Sequence, residues 1–243
     1  MNDKIIGRNP VLEAIRSGRS VDKILVKKGK YEGSIVPIIK KAKDAGIIIQ
    51  EVERAKLDQI AEGENHQGVI AYVSAYDYVS VKDILDKARV KNDPPFIIIC
   101  DKITDPHNLG AILRTANCVG AHGVIIPKRN SVGLNSVVAK TSAGAVEYTP
   151  VAKVTNIANT IDSLKDEGLW IAAADMDGQE MYDIDLKGSL GLVIGSEGEG
   201  ISRLVREKCD FIASIPMAGE INSLNASVAA GVLMYEALRQ RRK

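Results

Sequence analysis

The stretch FIIICDKITDPHNLGAILR, Phe96 to Arg114, decides the fold class of this 243-residue chain. Five consecutive apolar residues run into a polar loop, and a helical pattern opening on a proline follows at once. A strand that is apolar on both faces needs cover on both faces, which parallel strands joined by helical crossovers provide. The alternation recurs downstream. GVIIP (123–127), LWIAAAD (169–175) and GLVIG (191–195) read as strands, and NSVVAKTSAGAVE (135–147) and TNIANTIDSLKDEG (155–168) as helices. Residues 96–243 are therefore expected to form an α/β domain with a parallel sheet.

Upstream the elements are shorter. Asn9-Pro10 before VLEAIRSG supplies a capping residue, a proline at the first helical position and a glycine stop. VDKILVK (21–27), GIIIQEV (46–52) and GVIAYVSA (68–75) read as strands, SIVPIIKKAKDAG (34–46) and RAKLDQIAEG (54–63) as helices. Residues 1–76 thus form a small α/β domain. The polar stretch 77–95 ends in Asp93-Pro94-Pro95, which favours extended backbone, and reads as a linker in which VKDILDKA (81–88) forms a short helix.

Composition sets the class. With 45% hydrophobic and 26% charged residues the chain is an ordinary globular protein rather than a disordered or fibrous one. Its apolar runs fall far short of the roughly 20 residues that cross a bilayer, and MNDKIIGRNP lacks the apolar core of a signal peptide, so a cytoplasmic protein without a membrane partner is expected. Three widely spaced cysteines and three histidines suit neither a disulfide framework nor a metal centre. The net charge is only +1, yet residues 1–43 hold eleven basic residues against four acidic ones. Such a basic front end suits a polyanion, and equally suits a plain solvated surface.

Three polar, glycine-bearing stretches follow strands of the second domain: DKITDPHNLGAILR (101–114), GSEGEG (195–200) and the segment opening IPMAGEINSLNAS (215–227). In an open α/β sheet, ligands bind beyond the carboxyl ends of the strands, where three such loops converge. A dinucleotide fingerprint is excluded, because the loop after the first strand has one glycine and GSEGEG has the wrong offsets. Glu197 fits either a surface turn or a site. Asn108 reads as a helix cap, and Arg114, six positions on, points to another side of the helix. Before the apolar helix that closes the chain, Asn222, Ser223, Asn225 and Ser227 are more polar residues than one cap requires.

The patterns DxxxDPxNxGAxxRTA, VIGSEGxG and IPMxGxxxSLNxSVAxG, in this order, resemble the three motifs of the SpoU/TrmH-type (SPOUT) RNA 2′-O-ribose methyltransferases. GRNPVLEAI and HQGVIA resemble the substrate-binding domain of the branch that methylates guanosine in large-subunit (23S) ribosomal RNA. Ala226 stands where that family usually has valine. The resemblance implies a C-terminal parallel-sheet domain with a deep trefoil knot, preceded by a small ribosomal-protein-L30e-like α/β domain. It implies S-adenosylmethionine as cofactor, RNA rather than DNA as partner, and a homodimer. The adenosine part of the cofactor would be held by backbone at Gly195, Ile215, Met217 and Leu224. Asn108, Arg114, Glu197, Ser223 and Asn225 would form the catalytic set, with no metal. A guanidinium is a poor base, so Arg114 is expected to grip a phosphate bidentately while Glu197 or that phosphate accepts the proton. The other readings are a transfer-RNA 2′-O-methyltransferase and a noncatalytic RNA-binding dimer.

Overall fold

The structure, a computed structural model, describes residues 4–242. Residues 1–3 and 243, which the expected domain bounds include, and with them Asp3 of the charge balance, lie outside the described residues. The chain divides into two compact units: residues up to Asp77 together with Gly133–Ser136, and Tyr78–Val132 together with Val137 onward.

In the first unit the order is β1 (Lys4–Ile6), α1 (Arg8–Arg16), β2 (Val21–Lys27), α2 (Ile35–Asp44), β3 (Ile48–Val52), α3 (Arg54–Ala61) and β4 (Val69–Val73). The four strands form one sheet in the order β1-β4-β2-β3. β4 is antiparallel to both its neighbours, whereas β2 and β3 are parallel. Ile24 and Val26 of β2 pack with Val11 of α1 and with Ile35, Ile38 and Ala42 of α2, while Leu25 packs with Leu57 and Ala61 of α3. Successive strand residues point to opposite faces, so the continuous Ile24-Leu25-Val26 run is what a sheet covered on both sides requires. Helix α1 begins two residues earlier than expected, with Gly7 rather than Asn9 at its N-cap and no side-chain cap.

The second unit contains α4 (Val81–Lys91), β5 (Phe96–Cys100), α5 (Pro106–Cys118), β6 (Gly123–Pro127), all but the first residue of α6 (Ser136–Thr141), β7 (Val151–Val154), α7 (Ile157–Asp166), β8 (Trp170–Glu180), β9 (Leu190–Ile194), α8 (Arg203–Lys208), β10 (Phe211–Ser214) and α9 (Ala226–Arg241). Six parallel strands stand in the order β10-β8-β9-β5-β6-β7. β5, β6 and β9 are buried at every position. The stretch 77–95 is not a free connector. Its helix α4 carries a Ser80–Asp83 capping box and buries Ile84 and Leu85 in the same core as Ile97, Ile125 and Ile161. Apolar spacing on a charged helix hides this role until a core is there to receive it.

The chain lays down β5, β6 and β7 toward one edge, then crosses to β8 on the far side and inserts β9 between β8 and β5. The strand order thus reverses next to β5 and β9, and a crevice opens beyond their carboxyl ends.

Candidate active site

Loops from β5, β9 and β10 converge at that crevice. Asp105, rather than Asn108, caps α5: its Oδ1 accepts the His107 N–H at 2.9 Å, with Pro106 at the first helical position. Asn108 is thereby released from capping and is nevertheless buried. Its Nδ2 donates to Glu197 Oε1 at 2.9 Å, and its Oδ1 accepts from Asn225 Nδ2 at 3.0 Å. Asn225 Nδ2 also donates to Glu197 Oε1, closing a triangle of three side chains from three loops.

The other end of Asn225 caps α9. Its Oδ1 accepts from Ser227 N at 2.9 Å, Ser227 Oγ at 2.6 Å and Val228 N at 3.3 Å. One asparagine amide therefore serves helix and site at once, which explains part of the polar crowd. The rest lies upstream, where Asn222 and Ser223 line a cavity of about 530 Å³. Gly195, Glu197, Ile215, Met217, Leu224 and Asn225 line the same cavity. All four residues expected around a cofactor, and Glu197, Ser223 and Asn225 of the expected catalytic set, thus share one space. Asn108 stands just behind, bonded to Glu197 and Asn225.

Arg114 does not join them. It is exposed on α5, outside the cavity lining, and among the described residues its side chain forms no hydrogen bond or ion pair.

Gly195 has a backbone reason to be glycine. A Cβ there would collide with the Gly200 carbonyl carbon and Ile201 N, because Ser196 and Gly200 exchange two backbone hydrogen bonds that fold the loop back on itself. Asp101, just past β5, anchors the far end of this loop: its Oδ2 accepts the Ser202 N–H at 2.7 Å. Lys102 adds an exposed pair with Glu199 at 3.0 Å.

The sequence reading missed the third wall. Between β8 and β10 the register jumps, so that Ile212 pairs with Ala173 but Ala213 pairs with Gln179. The β8 residues skipped by β10 include Ala174, Asp175 and Met176, which line the cavity. Arg206 of α8 holds Asp175 Oδ2 at 3.0 Å. Gly178 is the one trace of this jump in the sequence, since a side chain there would strike the Ile212 carbonyl. Burial pushes the thiols of Cys100 and Cys209 up to about 12, so neither is a nucleophile at neutral pH.

A cavity of this size, apolar along Ile194, Ala213, Ile215 and Leu233 and polar at one rim, suits a small-molecule ligand. Residues 95–235, more than half of the chain, match the model of the SpoU rRNA methylase family, and residues 4–79 match the model of RNA 2′-O ribose methyltransferase substrate binding. The chain belongs to the SpoU methylase family. It is an RNA methyltransferase of the SpoU/TrmH type. This SpoU-family chain is 50% identical to YacO of Bacillus subtilis (strain 168), a TrmH family tRNA/rRNA methyltransferase, over 99% of this chain and 96% of that one. A Staphylococcus aureus (strain MSSA476) member of the TrmH family of tRNA/rRNA methyltransferases is 49% identical over 98% and 96% of the two chains. Among solved structures, the SpoU methyltransferase AviRb from Streptomyces viridochromogenes, in complex with AdoMet, superposes with a TM-score of 0.61 at 26% identity, covering 99% of this chain and 90% of that one.

Proposed function

We propose that this chain transfers the methyl group of S-adenosylmethionine to a ribose 2′-hydroxyl of RNA, at a guanosine of large-subunit (23S) ribosomal RNA. The observation that carries the proposal is the Asn108–Glu197–Asn225 triangle at the polar rim of a cavity whose apolar side is Ile194, Ala213, Ile215 and Leu233. The residues present fit the cofactor. Gly195, Ile215, Met217 and Leu224 offer backbone groups and apolar contact to its adenosine part, and Glu197, Ser223 and Asn225 form the polar rim. When bound, S-adenosylmethionine supplies a methyl already activated by its sulfonium, which leaves alignment and proton removal to the protein and the substrate.

Alignment is the larger task, because holding reactants in an attack geometry removes much of a barrier. The triangle is suited to it, since three side chains that hydrogen-bond one another resist displacement of any one. Glu197 Oε1 is committed to N–H donors from Asn108, Asn225 and Ala226, so proton acceptance falls to Oε2 or to the substrate's phosphate. Arg114, exposed and unpaired among the described residues, is available to grip that phosphate bidentately. RNA is distinguished from DNA by the reacting group itself.

The chain's last segment is proposed to thread a loop as a deep trefoil knot. In support, the end of α9 is held by Gln240, which bonds Leu186 N at 2.9 Å and Ile184 O at 3.1 Å, and by Arg241, which bonds Pro94 O at 2.5 Å. The working unit is a homodimer. Its support is the exposure of Val228 and Tyr235, seven positions apart and so on one face of α9, with Ile221 also exposed in the loop before it. A two-fold interface is self-complementary, so one such patch suffices.

The test is transfer of labelled methyl to unmodified large-subunit ribosomal RNA and to bulk transfer RNA, with folded Arg114→Ala as control. Label in ribosomal RNA that survives alkaline hydrolysis as a methylated dinucleotide, and is lost in the variant, supports the proposal. Label in transfer RNA alone overturns the substrate, and absence of cofactor binding overturns the enzyme in favour of a noncatalytic RNA-binding protein.

A further inference from the structure

Among the described residues that line the cavity of the second unit, only Asp175 and Glu197 are ionisable, and both are acids. Glu197 belongs to the triangle. Asp175 has no part in the methyl transfer described above, and its place in the sheet points to another task.

β8 stands between β10 and β9. Its register partners on β9 end at Ala173, and those on β10 pass from Ala173 directly to Gln179. Residues 174–178 therefore pair with neither neighbour. They stand between the loop after β9, which opens at Gly195, and the segment after β10, which opens at Ile215. Those two stretches carry backbone proposed above to hold the adenosine part of the cofactor. Asn108 of the triangle follows β5, on the far side of β9. Asp175 is thus placed at the adenosine end of the cavity and away from the reacting end.

The protein orients this carboxylate. Arg206 Nε donates to Asp175 Oδ2 at 3.0 Å, from a helix whose Val205 is buried in the same core as Ile171 and Ala173. The other ion pairs of α8, Arg203–Glu207 and Lys208–Asp162, involve no residue of the cavity lining. Asp175 Oδ1 makes no hydrogen bond among the described residues. The side chain is 26% exposed, so a ligand that fills the cavity takes it out of water and must itself supply a donor to Oδ1.

S-adenosylmethionine has three kinds of donor: the adenine amine, the two ribose hydroxyls and the ammonium of its amino-acid part. The amine is flanked by ring nitrogens that are themselves acceptors and repel a carboxylate. An ammonium calls for a counter-ion, but Arg206 already neutralises Asp175. An ion-paired carboxylate remains a strong hydrogen-bond acceptor with little net charge, which suits a neutral hydroxyl.

We infer that Asp175, oriented by Arg206, accepts a hydrogen bond from the ribose diol of the cofactor and makes the site selective for a ribonucleoside. The inference rests on the cofactor site described above and deepens it. Asp175 is the binding residue, and Arg206 is a positioning residue that acts through it.

The test is calorimetric binding to the full chain of three probes: S-adenosylhomocysteine, its 2′,3′-dideoxy analogue, and 5′-methylthioadenosine, which keeps the diol and lacks the amino-acid part. Asp175→Ala should weaken S-adenosylhomocysteine and methylthioadenosine alike, on the order of ten- to hundredfold, as loss of a hydrogen bond to a charged acceptor does. The dideoxy analogue should bind wild type and variant within about twofold of each other, because the bond in question is already missing. Its retained binding also reports an intact fold. Arg206→Met should weaken S-adenosylhomocysteine by less and again spare the dideoxy analogue, a coupling that loss of a merely structural ion pair would not produce. Equal loss of all three probes in the alanine variant would make the pair structural, or turn it to the adenine amine, and overturn the diol. A loss confined to the two probes with an amino-acid part would assign Asp175 to the ammonium and overturn it as well. Failure of the wild type to bind any probe would remove the cofactor reading itself, and the inference with it.

Discussion

Asn225 Nδ2 donates to Asn108 Oδ1 at 3.0 Å across a sequence separation of 117 residues. Each residue alone has a local explanation, Asn225 as a helix cap and Asn108 as a polar residue in the first turn of α5. Their mutual bond, and the Glu197 oxygen that both reach, turn two local features into one rim.

Replacing Asn225 separates its two tasks. Asn225→Ala loses the cap on α9, costing about 1 kcal/mol, which lowers the melting temperature by about 2–4 °C in a chain of this size. Asn225→Asp keeps the cap acceptor but removes the Nδ2 donor and sets a carboxylate against Glu197. The aspartate variant should therefore bind cofactor worse than its thermal stability suggests. Calorimetry of unfolding and of cofactor binding on the same samples checks this; wild-type cofactor binding by the aspartate variant would mean that the cap alone matters.

Arg114 is exposed and makes no described contact, so substituting it should leave stability within about 0.5 kcal/mol. Arg114→Lys should nevertheless reduce kcat at least about tenfold, because an ammonium cannot form the two parallel bonds of a guanidinium. Near-normal turnover by the lysine variant would show that charge without a fork is sufficient.

Gly195 and Gly219 make a matched pair. An added methyl at Gly195 meets backbone at Gly200 and Ile201, and the Ser196–Gly200 turn must open to admit it. At Gly219 nothing lies within 4 Å and the backbone is not left-handed. Gly195→Ala should abolish measurable cofactor binding, whereas Gly219→Ala should change it by less than about twofold. Equilibrium dialysis with labelled cofactor reads both.

His122 gives the protein an acid-sensitive element away from the site. Its Nδ1 accepts the Phe96 N–H at 3.0 Å, and its buried Nε2 has no hydrogen-bond partner among the described residues. Burial, reinforced by Lys91 and only partly opposed by Asp93, pushes its pKa below the ordinary 6.5. The unfolded chain then binds a proton that the folded chain resists. This contribution to stability is complete above about pH 6.5 and is lost as pH falls from there toward the lowered folded value. His122→Asn should flatten the melting-temperature profile in that window, while an unchanged slope would assign the acid sensitivity to other groups.

Legibility in the sequence followed burial. Strands β5, β6 and β9, apolar at every position, stand out because both their faces are covered. The strands passed over, β7 and β10, are four residues each and occupy the two edges of the same sheet. An edge strand has one neighbour and partial cover, so its pattern is short and mixed. The three-residue β1 was missed for the same reason. α4 was read as part of a linker because its charged outer face dominates the composition, although Ile84 and Leu85 are core.

By itself, the sequence determined the alternation of buried strands and helices, the three polar loops at strand ends and the motif residues within them, since these depend on local propensity and on spacing along the chain. Only the tertiary structure decided that Asn108, left free by the local Asp105 cap of α5, meets Glu197. It alone brought Asp175 to the cavity, through a register jump between β8 and β10, and left Arg114 outside it. The physical reason is that a hydrogen-bond partner 89 or 117 residues away, or a strand that skips part of its neighbour, is set by how elements pack, and nothing local to either residue records it.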